Sequence, residues 1–332
     1  MKKYKWGILG AGRIAARFAE GLKVCDNAVL WSVGSRDAAR GAEFAKNYGF
    51  ERSYGSYEEF VADPQLDIVY VATPHSHHHS HTLLCLNHGK HVLCEKAFSL
   101  NLREVDEMIS TAREKNLFLM EALWPPFQPS YIDADKIIRG GTMGGVVSIA
   151  GRFGFHAPFD SKARTHDLSL GGGSLLDVGI YPVMDIVRYM GLPEDIVALA
   201  SFSPTGSDDN LLAVFNFSDD RKATAYSSFI DEAGVGTTIM LERGSLMLER
   251  NREKVQFLTI ERGENDKEVR EYKPKATGFE YEAAEVMKCL DEGKIESDIV
   301  PHKFSHDLML LLDNIRAVAG IKYPGRDDIK SE

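Results

Sequence analysis

The chain is poor in cysteine, has no excess of positive charge and holds no long apolar run. Its four cysteines, Cys25, Cys85, Cys94 and Cys289, lie far apart without metal-type spacing. They read as reduced thiols, which suits a cytoplasmic protein. Lys and Arg number 39 against 49 Asp and Glu, a formal net charge of −10. With no basic stripe, a nucleic-acid partner is not expected. No N-terminal apolar segment resembles a signal peptide, and no apolar stretch reads as a membrane span, so no membrane partner is expected either. Internal repeats and low-complexity segments are also missing. What remains is ordinary for a packed enzyme-sized protein: 332 residues, 27% charged and 44% hydrophobic, enough for about two domains.

What is present is concentrated at the start. Trp6-Gly7-Ile8-Leu9 runs as an apolar strand into Gly10-Ala11-Gly12-Arg13-Ile14-Ala15 and then into a helix. Gly10 permits the tight turn, Gly12 lets the backbone approach a pyrophosphate, and Ala15 keeps helix and strand close. The N–H groups of the first turn, at Gly12, Arg13 and Ile14, point where an anion would sit. Strand, turn and helix in this order predict a dinucleotide-binding unit.

The first half keeps that rhythm. Strands are expected at 28–33, 67–72, 91–94 and 118–120, with helices at 37–48, 76–87 and 102–115 between them. Repeated alternation predicts a parallel sheet covered on both faces. After about residue 122, Trp124-Pro125-Pro126 and Pro129 break the pattern. Antiparallel-looking strands then dominate to about 272, at 147–155, 196–202, 211–217, 222–229 and 255–260, and two helices close the chain at 281–290 and 302–319. The expected fold is an α/β N-terminal Rossmann domain, 1–122, followed by an α+β domain, 123–332, built on a large, mainly antiparallel open sheet. Helices are expected on one face of that sheet, with a partner subunit over the other.

The second strand bears on the cofactor. It ends Gly34-Ser35-Arg36-Asp37, with Arg40 one helical turn on. A carboxylate there would hold the ribose 2′-OH of NAD, whereas arginine suits the 2′-phosphate of NADP. Asp37 also fits as a helix N-cap. NADP is expected over NAD.

Two further segments carry chemistry. Cys94-Glu95-Lys96-Ala97 ends a parallel strand, the edge at which open α/β sheets hold ligands. Gly171-Gly172-Gly173-Ser174 leads into a helix on which Asp177 and Tyr181, four apart, project from one face, with Pro182 expected to bend it.

With these motifs the sequence resembles the glucose–fructose oxidoreductase/inositol dehydrogenase (Gfo/Idh/MocA) family. It is nearest the branch of dimeric dihydrodiol dehydrogenase and NADP-dependent D-xylose dehydrogenase. The resemblance covers nearly the whole chain: Gly10-Ala11-Gly12, Gly34-Ser35-Arg36, Tyr54-Gly55-Ser56-Tyr57, Ala72-Thr73-Pro74, Gly89 to Lys96, Glu121-Ala122-Leu123-Trp124 and Gly171 to Pro182. It implies an NAD(P)-dependent oxidoreductase acting on a sugar or cyclic polyol, an aldose or a trans-dihydrodiol. It also implies a homodimer or tetramer formed through the C-terminal sheet. Lys96 matches the lysine of the family Glu-Lys-Pro motif, Asp177 its aspartate and Tyr181 its catalytic His-or-Tyr position. Thr73, Pro74, His78 and Glu95 fall in the cofactor-side segments. Trp124 and Phe279 match aromatics of the substrate cleft, with Phe153 and Phe155 as further wall candidates; Arg152, His156 and Arg164, before the glycine run, are weaker candidates for reaching substrate hydroxyls.

The chemistry follows independently. Taking a hydride from a carbinol carbon requires the hydroxyl proton to leave, hence a base within reach. Free tyrosine titrates near ~10, and a neighbouring ammonium favours its phenolate. Lys96 would supply that field to Tyr181, and Asp177 would orient the lysine or accept from a substrate hydroxyl. Ala97 stands where the family has proline, so a trans Lys96–Ala97 bond is expected. His75, His77, His78, His79 and His81 invite a metal reading, but a helix start with surface histidines fits them better, and no metal is expected. Two other readings share the scaffold: a non-catalytic cofactor-sensing regulatory protein, and an NAD-assisted glycoside hydrolase.

Overall fold

A computed structural model describes residues 2–251 and 254–327. In chain order the elements are β1 (Tyr4–Leu9), α1 (Arg13–Leu22), β2 (Ala28–Gly34), α2 (Ala38–Tyr48), β3 (Arg52–Tyr54), α3 (Tyr57–Val61), β4 (Ile68–Val71), α4 (His75–Asn87), β5 (His91–Glu95), α5 (Leu102–Glu114) and β6 (Leu119–Ala122). There follow α6 (Pro129–Gly140), β7 (Val146–Gly154), α7 (Ile180–Met190), β8 (Asp195–Phe202), β9 (Asp208–Asn216), β10 (Lys222–Ser228), β11 (Gly234–Leu241), β12 (Gly244–Arg250), β13 (Gln256–Glu261) and β14 (Lys267–Tyr272). Helices α8 (Glu280–Asp291) and α9 (His302–Ala319) close the chain. The chain divides into two compact units, one formed by Met1–Ser99, Arg103–Gln128 and Pro274–Ser305, the other by Leu100–Leu102, Pro129–Lys273 and His306–Glu332.

The first unit is a six-stranded parallel sheet in the order β3-β2-β1-β4-β5-β6. Its central strands are apolar and buried: β4 is inaccessible along its whole length, as expected of a parallel strand covered on both faces. The order reverses between β1 and β4, so their carboxyl ends flank the crevice where such sheets hold ligands. The expected boundary at 122/123 differs from this division. The segment Pro274–Ser305 belongs here because its side chains bond to the first strand and helix. Tyr4 donates to Asp291 (2.7 Å), and the Thr277 hydroxyl donates to the Arg17 carbonyl (3.0 Å).

The second unit is an eight-stranded sheet in the order β14-β13-β12-β11-β7-β10-β9-β8. All its pairs are antiparallel except β7–β10. Side chains alternate in burial along β9, with Leu211, Ala213 and Phe215 inward and Leu212 and Val214 outward. The outward face carries Val197 and Leu199, 62% and 71% exposed, beside Leu212, Val214 and Met240. No membrane-spanning run is expected from the sequence, yet by length and composition alone Leu168–Met190 is long and apolar enough to cross a membrane. It is a core helix of this unit, with 89% of its apolar window buried. The short β3, α3 and α6 escaped the sequence reading: three or five residues give no period to read, and α6 begins at a proline.

Candidate active site

The carboxyl edge of the first sheet gathers most of the expected cofactor residues. Gly10 has φ +103°, and a Cβ there would lie 3.0 Å from the Ala72 carbonyl and 3.1 Å from the Thr73 methyl group, so only glycine makes this turn. A Cβ on Gly12, by contrast, would meet nothing within 4 Å. Helix α1 starts there without a side-chain cap and with no acid in its first turn. Its leading N–H groups, including those of Arg13 and Ile14, thus meet no side-chain cap, which fits a pyrophosphate.

Beside this turn, Ser35 is buried, and its hydroxyl accepts from the Asp37 N–H (3.3 Å). Asp37 caps α2, accepting from the Arg40 N–H (3.0 Å). Its carboxylate is thus engaged by its own helix, while Arg36 and Arg40 are exposed. Thr73 and Pro74 lead into α4, with Pro74 at its N-cap position. The histidines are divided by that helix. His78 is fully buried and bridges two carbonyls, Nδ1 to Ala97 and Nε2 to Thr73, each at 2.7 Å. Burial, assisted by the Lys96 charge, pushes it down to about 4 against the pull of both carbonyls, and the neutral ring, with one N–H, donates to one of the two. His79 pairs instead with Glu107 (2.9 Å). Among the described residues no group of three His, Cys, Asp or Glu is arranged to hold a metal ion.

Lys96 follows β5 directly, two strands from the glycine turn. Buried acids fix its backbone: its N–H donates to Glu95 Oε2 (3.2 Å), and the Phe98 N–H donates to Glu121 Oε1 (3.0 Å). Tyr70 in turn donates to Glu95. Burial pushes the Glu121 carboxyl up to about 7, against the pull of the Lys96 ammonium. The expected trans geometry is incorrect here: the Lys96–Ala97 peptide is cis. The Lys96 N–H bond to Glu95 lies on the N-terminal side of this peptide and the Phe98 N–H bond to Glu121 on its C-terminal side. Sequence reading missed Tyr70 and the anchoring role of Glu121. Both lie on neighbouring strands, and only the strand-end position of Glu121 hinted at it.

The other candidate residues lie in the second unit. Asp177 and Tyr181 sit on a helix whose start, Leu175–Gly179, is a wide π-turn continuing into α7. The wide turn precedes Pro182, whose ring would clash with the Val178 carbonyl in a straight α-helix. Two roots hold this start. Asp208 accepts from the Ser174 hydroxyl (2.9 Å) and the Leu175 N–H (2.7 Å). Gly173, at φ +140°, leaves room for that carboxylate, which a Cβ would approach to 2.1 Å. Asp177 is buried and receives both Arg164 nitrogens, at 2.9 and 3.0 Å. Such a bidentate pair fixes the carboxylate's orientation. Tyr181 is half-buried against Phe153, ring centroids 5.5 Å apart, and Phe155 continues the wall toward Phe229 (5.4 Å).

Two weaker candidates do not join Tyr181. Arg152 alternates to the opposite face of β7, where it bonds Glu249 (3.1 Å) and the Ala233 carbonyl (3.0 Å); His156 is exposed. In the first unit, Trp124 lies 6.0 Å from Phe279. Phe279 itself is packed, 4% exposed, against Phe18 and Arg17.

Residues 4–123 match the model of an oxidoreductase family with an NAD-binding Rossmann fold, and residues 131–247 match the GFO/IDH/MocA C-terminal domain. A trans-1,2-dihydrobenzene-1,2-diol dehydrogenase of Danio rerio is 33% identical over 328 residues, covering 96% of this chain and 98% of that protein. The Homo sapiens enzyme of that name is 31% identical over 333 residues, with the same coverage. Among solved structures, levoglucosan dehydrogenase with NADH and levoglucosan superposes at TM-score 0.86 with 18% identity, covering 96% of this chain and 98% of that one. An aldose-aldose oxidoreductase from Caulobacter crescentus superposes at 0.85 with 24% identity and the same coverage. The chain belongs to the Gfo/Idh/MocA oxidoreductase family and is an NAD(P)-dependent dehydrogenase.

Proposed function

We propose that the substrate is a cyclic polyol or sugar, of the trans-dihydrodiol or aldose type, and that NADP is preferred over NAD. One observation carries the catalytic reading: the open glycine turn and Lys96 emerge from the same carboxyl edge of one parallel sheet, Lys96 on a backbone pinned by Glu95 and Glu121. For the cofactor preference, Arg36 and Arg40 present positive charge at the end of β2 while Asp37 is occupied by its helix. Gly10, Gly12, Arg13, Ile14, Ser35, Thr73, Pro74, His78 and Glu95 complete the proposed cradle. The relatives named for a trans-diol support the substrate class.

When bound, the nicotinamide supplies the hydride acceptor or donor. The chain's own task is the proton. Tyr181 takes it from the carbinol hydroxyl, or returns it to the alkoxide in the reverse direction. The Lys96 ammonium favours the phenolate. Asp177, held by Arg164, orients a substrate hydroxyl or the lysine. Trp124, supported by Phe279, and Phe155 offer apolar faces to the substrate ring. The residue limits expected for the substrate-binding and oligomerisation domain, 123–332, are kept here as a proposal for its function, less the segment packed into the first unit.

The apolar outward face around Leu199 and Val197 supports a homo-oligomer formed through the second sheet. The four unpaired thiols, three of them buried, support a cytoplasmic setting. The deciding experiment follows nicotinamide absorbance with NADP or NAD over trans-dihydrodiols, aldoses, hexoses and inositols. Turnover of a diol or sugar with NADP is expected. Lys96→Met should retain measurable NADP binding and lose about 10²–10⁴-fold in turnover; undiminished turnover would remove the lysine from the mechanism.

A further inference from the structure

The histidine-rich start of α4 contains a group that the hydride reaction does not use. Tyr57, in α3, lies in the field of the Arg36 guanidinium. Its ring stands edge-on to His81, centroids 4.8 Å apart. His81 stacks on His77, one turn earlier in the helix, at 5.4 Å and 29°. Its Nδ1 lies 3.0 Å from the Thr73 hydroxyl. The methyl group of that same Thr73 is what a Cβ on Gly10 would meet. Tyr57, His81 and His77 thus form one chain of ring contacts from α3 to the helix that follows β4, with the Arg36 guanidinium at the end of β2 acting on both Tyr57 and His81. This is the side of the glycine turn on which Arg36 sits.

The standing charge acting on His81 is positive, the Arg36 guanidinium from the β2–α2 connection, while His78 on its own helix and Tyr57 from α3 are neutral and His77 stacks on its ring. Arg40 acts on the same tyrosine. Asp37, the nearest acid in sequence to Arg36, is turned to its helix cap. Burial, assisted by the Arg36 guanidinium, holds His81 down to about 4, so it is neutral near pH 7. A buried imidazole beside a guanidinium gains from protonation only when an anion arrives. A phosphate monoester on Arg36 brings close to two negative charges and reverses the local balance.

We propose that His81, stacked on His77 beside Arg36 and Tyr57, is the proton-accepting member of the ribose 2′-phosphate site, so that NADP binding takes up a proton and NAD binding does not. The inference rests on the reading that the glycine turn and Arg36 hold NADP. Its sign is specific. The second ionisation of a phosphate monoester, near ~6, would by itself strengthen NADP binding as pH rises. Protonation of His81 in the complex does the opposite: affinity falls as pH rises above neutrality, while NAD affinity stays level.

The test is titration calorimetry of the full chain with NADP+ and with NAD+, each in two buffers of different ionisation enthalpy, between about pH 6.5 and 8.5. The expected result is net proton uptake with NADP+ alone and an NADP+ affinity that falls by about threefold or more per pH unit above neutrality. In His81→Gln, whose amide can still bond Thr73, uptake should vanish and the slope flatten. NAD+ binding by the same variant shows that it is folded. NADP+ binding without proton uptake, or uptake that persists in His81→Gln, overturns the inference and leaves the dinucleotide reading standing. Failure of both dinucleotides to bind overturns both.

Discussion

Two glycine-rich turns open two helices in this chain, and they are used in opposite ways. At Gly10-Ala11-Gly12 the turn enters α1 without a side-chain cap, and the space over Gly12 is empty. At Gly171-Gly172-Gly173 the corresponding space is filled by the carboxylate of Asp208, which takes the Leu175 N–H and the Ser174 hydroxyl. One helix start is left for an outside anion, whereas the other carries its anion within the chain. Glycine before a helix is therefore not itself an anion site. What decides is whether a buried acid from elsewhere already answers the first-turn N–H groups.

Substitutions at these positions should separate the two roles. The largest effect is expected for Gly173→Ala. Its Cβ would stand 2.1 Å from Asp208 Oδ1 at φ +140°, and backbone strain plus overpacking should cost about 3 kcal/mol or more in chemical denaturation. Gly10→Ala faces a milder clash, 3.0 Å from the Ala72 carbonyl at φ +103°. About 1–3 kcal/mol of strain is expected, with dinucleotide affinity weakened at least ~10-fold in equilibrium titration. If Gly173→Ala weakened dinucleotide binding more than Gly10→Ala did, the contrast would collapse.

Asp208 gives the next effect, through pH. Burial pushes it up to about 6, whereas an unfolded carboxyl titrates near ~4. The folded chain therefore holds this proton more tightly. The associated stability is complete below about pH 4 and is lost as pH rises toward 6, a contribution on the order of 2–3 kcal/mol. Asp208→Asn keeps an acceptor for the Leu175 N–H and should remove that part of the slope in urea titrations at several pH values. The smallest effect belongs to the β2–α2 connection: Arg36→Ala should weaken NADP about tenfold, roughly 1.4 kcal/mol, and leave NAD nearly unchanged.

The first half was legible because its signals are local. Gly10, Gly12 and Ala15 are read from one turn of chain, and Asp37 capping Arg40 is a three-residue pattern. Helix α9 agrees with its expected limits because its apolar positions recur at helical spacing over 18 residues. What stayed hidden depends on distant partners. Asp208 reaches Ser174 across 34 residues, and Tyr4 reaches Asp291 across 287, which draws α8 into the first unit. The Lys96 turn was only half visible: the lysine follows from its motif, but the cis peptide does not, and the acids that pin the backbone come from two neighbouring strands, β5 and β6. Strand β14, Lys-Glu-Val-Arg-Glu-Tyr, carries four charges in six residues and reads like a loop until its register with β13 is seen. Arg152 was misjudged by the simplest rule of a strand, since one residue's step moves a side chain to the other face.

The most direct measurement is backbone hydrogen exchange on the intact chain with and without saturating NADP+. Amides 12–15 at the start of α1 should exchange markedly more slowly with the dinucleotide bound, while the Leu175 amide, already held by Asp208, should keep its rate. Unchanged exchange at 12–15 under saturating NADP+ would contradict the assignment of that open turn as the cofactor's phosphate site.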